Sequence, residues 1–365
     1  MIKRAIVGIG SRIRKILPAK MPDFSMVRKI CIFKTGAIGD VLMTTPLLRA
    51  LRKRFSRARI DYWVGEWSAP VLENNPHIDR VISFNERPFY KKNLIAINNI
   101  ARKIRNEKYD LMIILDFSYL ANMFGTLCKV PIRIGFDRNG EGFPNTLNAP
   151  YGKRMHDVDS YLEIARVVGS KSICQKEIEL FLTNDEERFA RMFFRKHKLN
   201  PARTIAIAPG GAKNPGMTLN IKRWPAERFA KLAERLSKRG FQILLVGGPD
   251  DIDAAEIVKE RVPNAVDATG KTSLRKTAAL IKRCRRLVCN DSGLMHIASA
   301  VNTPVTAIFG PTDPIKLAPR GPKDKYLWKH PNKKPCYIDG MLIKCPDNHE
   351  CIKRISVNDA LRAVE

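Results

Sequence analysis

Nowhere in the 365 residues does an apolar run approach 18 residues, so no membrane-spanning helix is expected, and a hydrophobic content of 44% points to packed soluble cores. Acidic residues are scarce. The chain holds 36 Asp and Glu against 65 Lys and Arg, a formal charge of +29, and its partners are expected to be anionic: nucleic acid, an anionic bilayer or a phosphorylated glycolipid. No zinc finger, aromatic RNP-type strand or basic coiled coil accompanies the charge, so nucleic acid is not the expected partner. The cations are spread along the whole chain, a distribution that suits an anionic membrane surface better than a groove reader. Eight scattered cysteines without a signal-peptide core point to a reducing cytoplasm.

The first 20 residues contain no acid. Ile2, Ile6, Ile9, Ile13, Ile16 and Leu17 recur at helical spacing, while Lys3, Arg4, Arg12, Arg14 and Lys15 project mostly from the other side. Such a helix can lie in the headgroup region of an anionic leaflet, with its cations facing phosphate. Gly8 and Gly10 weaken it in solution, so folding on the surface is expected. The other reading is a packed N-terminal helix with a solvated outer face.

What the chain does have begins with Lys34-Thr35-Gly36-Ala37-Ile38-Gly39-Asp40, set between the apolar run Lys29-Ile30-Cys31-Ile32-Phe33 and a helical pattern starting near Val41. In an open α/β sheet a strand-to-helix turn of this kind lies where ligands bind, and Gly36 and Gly39 allow close backbone approach. Asp40 either caps the following helix or carries chemistry. A second strand-to-helix turn follows Arg286-Leu287-Val288-Cys289-Asn290, with Asp291-Ser292-Gly293-Leu294-Met295-His296 leading into an apolar helix. Ser292 and Gly293 would leave the helix amides open to a phosphate. His296, one turn further along, would reach a sugar or phosphate oxygen; the alternatives are a capping Asp291 and a core histidine.

Four segments in order carry a family resemblance: K-T-G-A-I-G-D-V-L-M-T-T-P at 34–46, A-P-G-G-A-K-N-P-G-M-T-L-N-I-K-R-W-P at 208–225, L-V-G-G-P-D-D at 245–251, and N-D-S-G-L-M-H from 290 running on to F-G-P-T-D-P at 309–314. The chain resembles the family-nine glycosyltransferases, the ADP-heptose:lipopolysaccharide heptosyltransferases. That resemblance implies an α/β fold of GT-B type, two Rossmann-like domains facing each other across a cleft. It also implies an inverting transfer of heptose from ADP-heptose to a lipopolysaccharide core or similar anionic glycolipid; the basic charge and the N-terminal amphipathic stretch, outside the resemblance, are what set the expected place at the inner face of the cytoplasmic membrane. Asp40 would be the general base, taking the proton of the attacking acceptor hydroxyl. Lys222 matches the family's Lys before Trp-Pro and would stabilise the departing diphosphate, with Arg223 in reserve.

Gly210 and Gly211 would bring amides to the phosphates, although the insertion through Asn220 is longer than the family pattern. Asp251 is placed like the family's ribose-binding acid, with Asp250 equally placed. Asp291, Ser292, Gly293, Leu294 and His296 would complete the donor site. Trp224 and Pro225 are read as packing at a helix entry. No cofactor is implied. A metal is not called for either, because the chain lacks a carboxylate pair spaced one residue apart at a strand end; the D-V-D at Asp157 and Asp159 reads as the start of a helix. Other readings are a different nucleotide-sugar or acceptor on the same fold, and a non-catalytic basic protein binding nucleic acid or membrane.

Alternating strand and helix patterns imply parallel sheets in both halves. Strands are expected at 29–33, 59–64, 80–84, 111–115, 204–208, 241–246, 286–290 and 304–309. Helices are expected at 41–55, 92–106, 226–239, 252–261 and 273–283, with a terminal helix at 357–364 docking back on the first half. The polar stretch 183–203 reads as the junction. The expected division is a basic amphipathic extension at 1–25, an acceptor-binding domain at 26–190 and a nucleotide-sugar domain at 191–365. Cys336, Cys345 and Cys351, with His349, match no standard zinc spacing and read as buried thiols or a loop clasp.

Overall fold

The computed structural model describes Val7 and residues 21–365, except 153, 172, 215, 331–333, 339, 340, 344, 346, 347 and 349. The expected N-terminal helix therefore lies outside the described residues, as does His349. The chain divides into two compact units, Met1–Lys176 and Glu177–Glu365.

In the first unit the strands are β1 (Lys29–Lys34), β2 (Arg59–Gly65), β3 (Arg80–Phe84), β4 (Leu111–Ile114), β5 (Ile132–Asp137) and β6 (Leu147–Pro150). They form one sheet in the order β3-β2-β1-β4-β5-β6, all neighbours parallel. A parallel strand is covered on both faces, which is why β1 reads as a continuous apolar run and Ile30 to Phe33 are fully buried. Phe33, Phe84, Phe89 and Phe124 pack ring to ring on one side of this sheet.

The second unit repeats the design. Its strands are β7 (Thr204–Ala208), the hairpin β8 (Lys213–Asn214) and β9 (Met217–Thr218), β10 (Gln242–Leu245), β11 (Val266–Asp267), β12 (Arg286–Asn290), β13 (Val305–Phe309), β14 (Lys325–Trp328), and the hairpin β15 (Tyr337–Ile338) and β16 (Met341–Leu342). The large sheet runs β11-β10-β7-β12-β13-β14, again parallel throughout. Both orders are that of a Rossmann sheet, in which the strand order reverses beside the first strand and opens a crevice at the carboxyl ends. The reversal falls between β1 and β4 in one unit and between β7 and β12 in the other.

Three expectations change. The helix expected at 41–55 is two, Ile38–Leu42 and Thr45–Arg54, because Pro46 has no N–H to continue the ladder and sits instead in the first turn of the second helix. The stretch read as a junction holds a helix, Asn184–Lys196. A capping box starts it: the Glu186 N–H donates to Thr183 Oγ1 (3.2 Å) and the Thr183 N–H to Glu186 Oε2 (2.7 Å). Its charged face concealed an apolar stripe that packs on the helix Leu274–Lys282 of the second unit. The terminal helix Val357–Val364 packs on the helix Ala226–Lys238 and on β13 and β14, so its apolar face belongs to the second unit's core.

Candidate functional site

Each unit gathers chemistry-bearing residues at its own topological reversal. In the first, β1 ends at Lys34 and the chain turns through Thr35, Gly36 and Ala37 into the helix Ile38–Leu42. Ala37 occupies the capping position and no side chain caps this helix, so Asp40 does not act as its N-cap. Asp40 is the third helical residue and half-buried. Among the described residues its carboxylate has no hydrogen-bond or ion-pair partner. Gly36 makes room for this geometry: a Cβ there would lie 2.9 Å from Lys34 Cε and 3.2 Å from Asp40 Cβ. Gly39 is buried within the same helical turn.

Lys34 is only 2% exposed, yet it is charged. Burial disfavours its ammonium, but the carboxylates of Asp116 and Asp40 outweigh that and hold the amine above its ordinary value. Nζ lies 3.4 Å from Asp116 Oδ1, donates to the Leu115 carbonyl, and stands over the rings of Tyr161 (5.2 Å) and Phe117 (5.8 Å). Asp116 in turn accepts from the Thr35 N–H (2.8 Å) and hydroxyl (2.9 Å), tying the end of β4 to the Asp40 loop. Tyr161, 1% exposed, carries a buried hydroxyl with no hydrogen-bond partner among the described residues. Burial pushes that phenol well above its ordinary value, so it stays protonated. Ser68 and Tyr90 hydroxyls close the loop from outside, donating to the Gly36 and Thr35 carbonyls at 2.8 Å each.

In the second unit, four loops at the carboxyl ends of β7, β10, β12 and β13 interlock. Fully buried Asn290 fastens two of them to a third segment: its amide donates to the Pro209 and Gly210 carbonyls (3.1 and 2.8 Å), and its oxygen accepts the Trp224 N–H (2.9 Å). Asp251 performs a similar task. Its carboxylate accepts the N–H groups of Gly211 (2.8 Å) and Gly248 (2.9 Å) and pairs with Arg223 (3.2 Å), so it braces the phosphate-type loop. Asp250 lies at the exposed rim, paired with Lys213 at 2.8 Å. Glycine is required at 210 and 211. A Cβ at Gly210 would fall 2.0 Å from Asp251 Oδ1, and Gly211 has φ +81° with a Cβ position 2.6 Å from Ser292 Cβ.

Lys222 and Asp291 form a buried ion pair at 2.7 Å, 8% and 3% exposed. Burial works against the Asp291 carboxylate, but Lys222, the Thr312 hydroxyl at 2.7 Å and nearby His296 hold its carboxyl below the ordinary value. Ser292 caps the helix Gly293–Ala300 by position only, with no side-chain bond to its amides, and Ser292, Gly293 and Leu294 are half-buried. A helix mouth of this kind, beside Lys222, can receive a phosphate. His296 is buried beside Asp291. Trp224 is packed against Phe229 and donates to the Ile355 carbonyl, and Pro225 precedes the helix, as expected of a helix-entry device.

The structure thus groups Gly36, Gly39 and Asp40 in the first unit. In the second it groups Gly210, Gly211, Lys222, Arg223, Asp251, Asp291, Ser292, Gly293, Leu294 and His296. It adds Lys34, Asp116, Tyr161, Asn290 and Thr312. Asp116 had a visible signal, a carboxylate ending the apolar run Leu111 to Leu115; Tyr161, inside a helix, had none. Asp157 and Asp159 open the helix Asp157–Val167, as expected. Cys336 and Cys351 are buried free thiols, Cys345 is half-buried, and among the described residues no group of three or more His, Cys, Asp or Glu has metal-holding geometry.

Two Rossmann-like units with glycine-lined loops at their strand ends are the architecture of the GT-B class. The chain belongs to glycosyltransferase family 9 (heptosyltransferase), which it matches over residues 97–345. It is 29% identical to the lipooligosaccharide heptosyltransferase 2 of Haemophilus influenzae over 334 residues, covering 86% of this chain and 90% of the relative. The glycosyl transferase family 9 structure from Veillonella parvula superposes with a TM-score of 0.81 at 26% identity, covering 94% of this chain and 97% of that one. The fold is also shared with the Escherichia coli ADP-heptose lipopolysaccharide heptosyltransferase II, at a TM-score of 0.70 and 24% identity, with 92% and 97% covered.

Proposed function

We propose that this protein is an inverting heptosyltransferase, moving heptose from ADP-heptose to a lipopolysaccharide core or related anionic glycolipid. The observation that carries the reading is the Asp40 carboxylate at a topological reversal, without a hydrogen-bond or ion-pair partner among the described residues, in a chain of family 9. The named activity of the Haemophilus influenzae relative and the donor named for the Escherichia coli structure support the choice of sugar.

In this reading the first unit, from residue 26 to Lys176, binds the acceptor and the second, Glu177–Glu365, the nucleotide-sugar. The acceptor oxygen forms a bond to the anomeric carbon from the face opposite ADP, its proton passes to Asp40, and the carbon–oxygen bond to the diphosphate breaks. Positive charge develops on the sugar ring and negative charge on the leaving diphosphate. Lys222 and the amides of Ser292, Gly293 and Leu294 meet that negative charge. A further donor from Arg223 and the close backbone of Gly210 and Gly211 complete the diphosphate site, while Asp251 holds it in shape. His296, close enough to Asp291 to bias its charge, is the remaining contact proposed for the donor's sugar or phosphate. In the first unit, Gly36 and Gly39 admit the acceptor, and the orphaned Tyr161 hydroxyl supplies a donor beside Lys34. No metal or cofactor enters the scheme.

We place the enzyme in the cytoplasm, peripheral at the inner face of the cytoplasmic membrane, with residues 1–25 as one attachment. Among the described residues no helix is long and apolar enough to cross a membrane. The test is transfer of labelled sugar from ADP-heptose to a heptose-deficient lipopolysaccharide core, with release of ADP and inversion at the anomeric carbon. Transfer only from another nucleotide-sugar would reject the donor, and retention of configuration would reject the mechanism.

A further inference from the structure

Outside the site, residues 87–106 of the first unit carry six Lys or Arg and no acid. The segment is a bent pair of helices. Arg87–Lys91 ends with Lys92 in the left-handed region (φ 54°), and Asn93 caps Leu94–Asn106 by accepting the Ala96 N–H. Its inner side is anchored: Phe89, Ile97, Ile100, Ala101 and Ile104 are buried in the core of the unit. Its outer side runs Tyr90, Lys91, Lys92, Asn93, Leu94 and Ile95, all exposed, with Leu94 at 70% and Ile95 at 79%. A single exposed leucine needs no explanation. Two large aliphatic side chains side by side on a capped turn, flanked by an exposed tyrosine and two lysines, make the composition of a helix end that sits at a lipid interface. Arg102 follows Ile95 by seven residues, two helical turns, so the same outer face carries cation beyond the apolar tip.

We propose that the turn Tyr90–Ile95, continued by the outer face of the helix Leu94–Asn106, is a surface that docks the protein on an anionic bilayer. Leu94 and Ile95 enter the headgroup region, while Lys91, Lys92 and Arg102 meet lipid phosphates. The charge of the whole chain favours the same partner. The docked turn is also joined to the site, since the Tyr90 hydroxyl donates to the Thr35 carbonyl in the loop that carries Asp40. Docking here therefore brings the Asp40 loop to the surface where a lipid-linked acceptor lies. The proposal rests on the glycolipid reading of the acceptor, but binding to vesicles is measured without turnover.

The experiment uses the full chain with vesicles of phosphatidylcholine alone or mixed with phosphatidylglycerol. The parent is expected to sediment with the mixed vesicles in a salt-sensitive way. Leu94→Glu with Ile95→Glu should lower that partition about tenfold or more. Because residues 1–25 are proposed as a further attachment that adds to this one, a second variant reads the turn itself: Leu94→Trp should gain emission that shifts blue and is quenched by brominated phosphatidylglycerol. Sedimentation without quenching of the new tryptophan would overturn the proposal. So would a loss of binding in Lys91→Ala with Lys92→Ala but none in the double glutamate variant, which would make the patch a mere polyanion surface. Transfer to a soluble core oligosaccharide should persist in every variant; absence of transfer in the parent would strike the proposed reaction and leave the docking surface standing.

Discussion

Asp40 and Asp291 are both acids at strand ends, and their surroundings assign them different work. Asp291 is locked against Lys222 and Thr312, whereas Asp40 has no hydrogen-bond or ion-pair partner among the described residues and lies beside a lysine that is itself held by Asp116. A carboxylate in that position can accept a proton, and general-base help is typically worth about a hundredfold or more. Asp40→Asn should therefore lower turnover by about that factor while ADP binding, measured by calorimetry, stays close to the parent's. Near-parental turnover would remove Asp40 from the chemistry. For Asp291 the linkage runs through pH. Its carboxyl is held below the ordinary value in the folded protein, so ionisation contributes stability above the unfolded value and that contribution is lost as pH falls through the folded one. Lys222→Met leaves the carboxylate buried without its cation, at a cost of roughly 3–5 kcal/mol near neutral pH. The deficit should shrink on acidification from about pH 7 to about pH 4, as the stranded carboxyl takes up a proton. Urea unfolding across that range is the measurement, and a deficit independent of pH would mean that Lys222 contributes packing alone.

At the scale of elements, the regular strands and helices were legible because their apolar periods are strong; the loops between them were legible as glycine patterns but not as contacts. Gly210 and Gly211 were readable as residues allowing close approach. That the approach is to Asp251 and Ser292 was not, because those partners come from other strand ends. For the same reason the bonds by which Asp251 braces two loops, to the Gly211 and Gly248 N–H groups, had no signal in the sequence. The prediction at this scale is Gly211→Ala. At φ +81° and with Ser292 Cβ 2.6 Å from the new methyl, the loop must strain by roughly 1–3 kcal/mol or move. Either outcome disturbs the open mouth of the helix Gly293–Ala300, so ADP should bind about tenfold more weakly or worse, with a lower melting temperature. Parental values in both would show that the loop is not part of the nucleotide site. The helix Asn184–Lys196 teaches the complementary point. Thr183 to Glu187 looks like a solvated linker until Thr183 and Glu186 are recognised as a capping box, worth about 1 kcal/mol. Thr183→Ala should lower stability by about that amount in urea unfolding, and an unchanged midpoint would show that packing on the helix Leu274–Lys282 alone holds it.

For the molecule as a whole, alternation of strand and helix was enough to imply two parallel sheets, since both run through apolar strands covered on both faces. What no local pattern carried was pairing at a distance: Lys34 finds Asp116 across two neighbouring strands, and Lys222 finds Asp291 from the far side of three helices in sequence. Charge was legible from the start and has a consequence for the whole chain. A formal +29 repels itself in the compact state, and the exposed ion pairs such as Lys353–Glu350 and Arg188–Asp185 contribute little against it. Added salt shortens the screening length from about 30 Å at 0.01 M to about 8 Å at 0.15 M, which weakens the many like-charge repulsions more than the few buried pairs. The melting temperature should therefore rise between those two ionic strengths in sodium chloride, as calorimetry or circular dichroism would record. A melting temperature that falls instead would mean that surface ion pairs, and not self-repulsion, dominate the electrostatics of the folded protein. The same screening should weaken attachment to anionic vesicles over that interval, so stability and docking are expected to respond to salt in opposite directions.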